Sequence, residues 1–172
     1  LREDFDFMAR SNDSTSPGDL ALTVWLEELA TGRRVLWVGD AATWATDRIA
    51  TFAHDLRVLD TSGRGRSRRA SGHISAYRGL DDLELDADFD LVVVPDAGVF
   101  EDLEAAAEGL RGTVGDGVLV FGADAGEEPD DVYSGLLDAL EPAYREVRML
   151  AVGGGAADEA DAGAAWAWAR RR

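Results

Sequence analysis

Hydrophobic and polar positions along this chain follow two periods in turn. Short continuous apolar runs, Val35 to Val38, Leu91 to Val94 and Val118 to Phe121, each end at a glycine or proline. Runs of that kind predict strands buried on both faces, as in a parallel sheet. Between them apolar residues recur at helical spacing, as Leu20, Val24, Leu26 and Leu29, then Ala45, Ile49, Phe52 and Ala53, then Val99, Leu103, Ala106 and Leu110, then Val132, Leu136, Leu137 and Leu140. Each set predicts a helix lying with one face against the sheet. Ser16-Pro17 reads as a cap and first helical residue, with Gly32 past the end, and Pro129 opens the last helix. The helix after the first strand is expected from about Ala42 to His54, where a protonated imidazole suits the negative end of the dipole.

The remaining strands are weaker. Arg57 to Leu59 and Ile74 to Tyr77 are short, and TSGRGRSRRASG between them is the least regular stretch. At the end of the chain, Tyr144 to Val152 and Ala164 to Arg170 are strand-like runs joined by a Gly/Ala/Asp loop with no helical pattern, which predicts an antiparallel pair. Trp166 and Trp168 alternate with alanine and so share one face, placed either to pack a sheet or to stack on a ligand. The pattern as a whole predicts one α/β domain over residues 17–172, preceded by a polar, flexible arm over residues 1–16 whose Phe5 and Phe7 could dock over a cleft.

Composition narrows the chemistry. No apolar run approaches the roughly 18 to 20 residues of a membrane helix, and LREDFDFMAR has no basic region followed by an apolar core, so a soluble, cytoplasmic protein is expected. With no cysteine there is no disulfide, thiolate metal site or cysteine nucleophile. The net charge is −17 and all 17 basic residues are arginine. This lysine-free acidic balance resembles that of proteins from salt-loving archaea, where carboxylates keep a surface hydrated; an acidic interaction surface is the other reading. Nucleic acid is disfavoured as a partner, since binding phosphates needs positive faces. Without lysine there is no Gly-Lys-Ser/Thr phosphate loop and no Schiff base, and the lysine of response-regulator receivers is missing too.

The candidate site lies in RRVLWVGDAATWATDRIATFAHDLRVLD, residues 33–60. In a βαβ unit the turn after the first strand faces the ligand crevice, and an acidic residue about 20 positions on can hold a ribose hydroxyl. That makes Gly39 and Asp60 the two ends of a candidate nucleoside site. Asp96, after Pro95 at the end of the fourth strand, stands where the crevice should open and can orient an acceptor or take its proton. His54 and His73 are too far apart in sequence to suggest a metal site. The run Arg64, Arg66, Arg68, Arg69 is the one concentrated positive patch, suited either to an anionic substrate or to pairing with the acidic surface.

Alternating βα units that end in a helix-free hairpin resemble the Rossmann-like S-adenosylmethionine-dependent methyltransferases. VLWVGDAAT stands where that family has its first strand and glycine-rich loop, RVLDTS resembles its second strand with the terminal acid, and FDLVVVPDAGVF its fourth. GDGVLVFG is similar to its fifth strand, and YREVRMLAV with AAWAWARR to its closing hairpin. The resemblance implies a three-layer fold on a mostly parallel seven-stranded sheet with a C-terminal antiparallel hairpin. It implies S-adenosylmethionine as cofactor, held by Gly39, Asp40, Ala41, Asp60, Thr61 and Asp81, with Asp96 beside the reacting methyl and a small molecule or protein group as acceptor. Where the family commonly has Gly-x-Gly-x-Gly, this chain has Gly39, Ala41 and Thr43, followed by Trp44. The alternative is a catalytically silent module that keeps the fold. The arm and the tryptophan-bearing hairpin also permit a homodimer.

Overall fold

The computed structural model describes residues 17–41, 43–62, 73–83, 88–124, 129–152 and 164–171. The arm over residues 1–16 and the Arg64 to Arg69 run lie outside them. The elements in order are α1 (Pro17–Ala30), β1 (Arg34–Gly39), α2 (Trp44–Phe52), β2 (Asp55–Asp60), β3 (His73–Ala76), β4 (Leu91–Val94), α3 (Leu103–Thr113), β5 (Val118–Asp124), α4 (Pro129–Leu140), β6 (Tyr144–Val152) and β7 (Ala164–Arg171), with short 3-10 turns at Leu80–Leu83 and Ala97–Val99.

All seven strands form one sheet in the order β3-β2-β1-β4-β5-β7-β6. The first five are parallel, and β7 runs antiparallel to both β5 and β6. This is the expected α/β architecture with its closing hairpin. Its cause is the alternation of strand side chains between two cores. Leu36, Val38, Val92, Val94, Leu119 and Phe121 pack with Ala106, Leu110, Leu136 and Leu140 from α3 and α4. Val35, Trp37, Leu91, Val93 and Val120 pack on the other face with Leu26 and Ala30 of α1 and Ile49 of α2. Trp166 joins that second core and Trp168 packs against it, so both hairpin indoles do lie on one face.

Two helix boundaries differ from expectation. Ala53 closes α2 with an extended backbone, its N–H still reaching Ile49 O, so the next N–H, of His54, turns away to Arg33 O at 2.8 Å. His54 is therefore an exposed residue ahead of β2 and does not close the helix. Val99 belongs to a separate 3-10 turn, because the Asp102 side chain accepts from Ala105 N and starts α3 afresh. Helices α1 and α2 are tied by a bridge from Arg48 Nε to Glu27 Oε1, whose hydrogen bond raises the Arg48 pKa further above its ordinary value against the opposing effect of burial.

Candidate functional site

Strand order reverses between β1 and β4, so the crevice opens at the C-terminal tips of the parallel strands. Gly39 and Asp60 stand there as register partners, and Thr61 N donates to Gly39 O at 3.2 Å. The Asp60 carboxylate turns back onto the loop after β1. Its Oδ1 accepts from Ala41 N at 3.1 Å, from Ser62 N at 3.2 Å and from Ser62 Oγ at 2.8 Å. Asp60 is only 2% exposed and Ala41 1%. A carboxylate buried so deeply is held by its donors, since an uncompensated buried charge is costly.

The loop between them is shaped by the helix that follows. Thr43 is the N-cap of α2, with its Oγ1 accepting from Thr46 N at 3.2 Å and lying 2.6 Å from Thr46 Oγ1. Thr46 Oγ1 in turn donates to the carbonyl of half-buried Asp40 at 3.4 Å. The threonine in place of a third glycine thus serves the helix. The Trp44 side chain lies outside the described residues.

Glycine at position 39 has a local reason. A Cβ there would stand 2.8 Å from Pro95 Cγ and 3.0 Å from Trp37 Nε1, so the close approach that glycine permits is made by the protein's own Pro95. The same proline presses on β5, where a Cβ at Gly122 would meet Pro95 O at 2.4 Å and the Trp166 ring at 2.8 Å. Pro95 is therefore wedged between the tips of β1 and β5, on the face carrying both indoles. The Trp37 and Trp166 Nε1 atoms are buried without a hydrogen-bond partner.

The predicted residues separate into two groups. Gly39, Asp40, Ala41, Asp60 and Thr61 come together at the tips of β1 and β2. Asp81 is exposed on the 3-10 turn beyond β3, where its neighbour Asp82 accepts from Arg78 N at 2.6 Å. Asp96 is exposed at the tip of β4, and its Oδ1 caps its own turn by accepting from Gly98 N at 2.9 Å. Sequence reasoning missed Ser62, although an Asp followed two residues later by a hydroxyl is a turn signal that could have found it. It also missed Tyr77, whose N–H donates to Asp60 O at 2.9 Å. The Tyr77 ring packs edge-on against Phe100 at 5.9 Å, and Phe100 against Phe121 at 6.1 Å. Burial, and secondarily the charge of Asp82, raises the Tyr77 pKa above 10.0.

A groove of about 500 Å³ lies at the opposite end of the sheet, lined by Arg33, Asp88, Phe89, Asp90, Asp116 and Arg170 among others. It is remote from the tips of β1 and β2, and its size is no guide to the chemistry. Among the described residues no group of histidines and carboxylates is placed to hold a metal ion, and no helix is long and apolar enough to cross a membrane.

Solved structures share this architecture over nearly the whole chain. The N-methyltransferase NodS from Bradyrhizobium japonicum, in complex with S-adenosyl-L-homocysteine, matches with TM-score 0.68 and 22% identity over 94% of this chain and 93% of its own. The fold is that of the Rossmann-like methyltransferases. A precorrin-6y C5,15-methyltransferase from Geobacter metallireducens matches at 0.66 and 15% identity, with 94% and 93% covered. A TehB-like SAM-dependent methyltransferase from Corynebacterium glutamicum matches at 0.64 and 17% identity, with 99% and 95% covered. No family model matches the chain, and neither does any curated protein. Identities this low establish the methyltransferase fold; the activity has to be argued from the site.

Proposed function

We propose that this protein is an S-adenosylmethionine-dependent methyltransferase whose cofactor lies across the tips of β1 and β2. The observation that carries the reading is the position of the Asp60 carboxylate, at the end of β2, one strand from Gly39 and hydrogen-bonded to the backbone of the β1 loop. The donor set suits a nucleoside: a carboxylate to accept ribose hydroxyls, loop amides on the facing strand, and Tyr77 beside Asp60. Binding would exchange the bonds that Ala41 and Ser62 make to Asp60 for bonds to the ligand. When bound, the cofactor supplies a methyl group to an acceptor nucleophile.

The chain's own part is positioning, which can provide most of the rate in such a transfer. Asp60 fixes the ribose, and Gly39, Asp40 and Ala41 border the methionine portion. Thr61 keeps the two strand tips in register through its bond to Gly39 O. Asp96, exposed at the tip of β4 with one oxygen held by Gly98, orients the acceptor group, a small molecule or a protein side chain. Asp81 borders the adenine side beyond β3.

A second reading, a silent module that keeps the fold, is favoured by Gly39, where Pro95 occupies the close approach that a cofactor would need. Calorimetry decides between them. With S-adenosylhomocysteine in molar salt the first reading expects saturable heat, weakened at least about tenfold by Asp60→Asn, as for loss of a hydrogen bond to a charged group. No heat from demonstrably folded protein establishes the second.

A further inference from the structure

At least three donors converge on one oxygen of Asp60, from Ala41 N, Ser62 N and Ser62 Oγ. A carboxylate oxygen offers about two lone-pair directions, so this one is already oversubscribed. The three donors are not equivalent. Ala41 N belongs to the loop 19 residues away, and Ser62 N is fixed by the chain two residues on. The Ser62 hydroxyl alone can leave by turning about its own side-chain bond, with no backbone movement. It is also an alcohol O–H set 2.8 Å from a carboxylate, the contact a sugar hydroxyl would make.

Resting on the nucleoside reading above, we infer that Ser62 is an internal competitor for the ligand's ribose hydroxyl. Its O–H holds the ligand's place on Asp60 and so sets how tightly nucleosides bind. A ligand gains only the difference between its own bond to Asp60 and the bond that Ser62 gives up. Removing the hydroxyl therefore has opposite effects on the two sides of the equilibrium. The protein loses an internal bond, while the ligand loses a rival. A purely structural Ser62 would lower stability without improving affinity.

The test titrates the full chain with S-adenosylhomocysteine in molar salt, comparing the parent, Ser62→Ala and Ser62→Thr, and follows unfolding without added ligand. Ser62→Ala is expected to lower Tm and to tighten binding by about 3- to 10-fold, the range of one net hydrogen bond. Ser62→Thr, which keeps the hydroxyl, should bind as the parent does. If Ser62→Ala binds equally or more weakly while the parent binds, the competitor role is overturned and the nucleoside reading stands. If neither binds although both are folded by circular dichroism, both inferences fall. Should Ser62→Ala not fold, Ser62→Gly removes the same hydroxyl and is read in the same way.

Discussion

The two ends of the sheet are built on opposite principles. At the C-terminal tips of the parallel strands, Gly39, Ala41, Asp60, Pro95 and Gly122 close on one another, and the Asp60 carboxylate is spent on bonds within the chain. At the other end, Arg33, Asp88, Asp90, Asp116 and Arg170 surround an open groove. Open α/β sheets take ligands at the C-terminal strand tips, which here is the closed end. The open volume and the proposed site thus lie at opposite ends of this molecule. An open, mixed-charge groove is easily made where strands begin among charged turns, whereas a buried carboxylate facing a loop amide needs a specific register. Gly39 opposite Asp60 supplies that register.

The sharpest way to break the comparison is to force the closed end apart. At Gly122 an added Cβ meets the carbonyl of Pro95 and the Trp166 ring, neither of which is a flexible tip that can swing aside. Gly122→Ala should cost about 3 kcal/mol, the upper part of the range for overpacking. Gly117, at the groove end, has a Cβ position 2.3 Å from Asp90 O, and Gly117→Ala should cost a similar amount. Gly112 and Gly135 have nothing within 4 Å, and alanine there should stabilise helices α3 and α4 by about 0.5 to 1 kcal/mol. Denaturant unfolding in molar salt measures all four. A neutral Gly122→Ala would mean that Pro95 yields, and that the closed end can open for a ligand without help.

Why glycine stands at 39 and 122 was not legible in the sequence, and the reason is physical. The strand at Leu91 to Val94 announces itself by composition, and Pro95 after it reads as a strand end. That its ring would lodge against β1 and its carbonyl against β5 depends on strand order, which follows from packing three-dimensional layers and not from any local pattern. The central parallel strands, the helices on two faces and the antiparallel hairpin were legible because their periods carry them, whereas β2 and β3 left only short, weak patterns. Asp60 was legible as a strand-end acid. Its burial was not, because nothing in RVLD shows that Ala41 and Ser62 would supply the donors. Thr43 departs from the glycine pattern in sequence, and only its bond from Thr46 N shows it to be a cap.

Asp60 separates the two ends by a smaller margin. Asp60→Asn keeps the shape but removes the charge from a group with at least three donors, and a cost of about 2 kcal/mol is expected from weakened charge-assisted bonds. Asp116→Asn, on an exposed carboxylate at the groove, should change stability by less than about 0.5 kcal/mol. Equal costs at the two positions, read by denaturant unfolding, would mean that the Asp60 contacts are too weak to hold the loop.

The smallest effect concerns Tyr77, beside the closed end. Its folded pKa is raised above 10.0, chiefly by burial, so the native state resists losing the phenolic proton more than the unfolded chain does. The sign follows from proton binding. Above the unfolded pKa of about 10 the unfolded chain releases the proton first, and the folded state is left holding a proton that the solution no longer favours. The contribution is fully present below pH 10.0 and fades as pH rises through the folded value. Parent and Tyr77→Phe should therefore have parallel Tm profiles from pH 7 to 9, and above about pH 10 the parent should fall faster by a degree or two. Ultraviolet titration read as the difference between the folded parent and Tyr77→Phe gives an independent reading, since the phenol that the substitution removes should ionise later than a free one. Profiles that stay parallel to pH 11 would mean that the ring edge against Phe100 leaves the hydroxyl in ordinary solvent, and Tyr77 would then belong to the open surface and not to the closed tips.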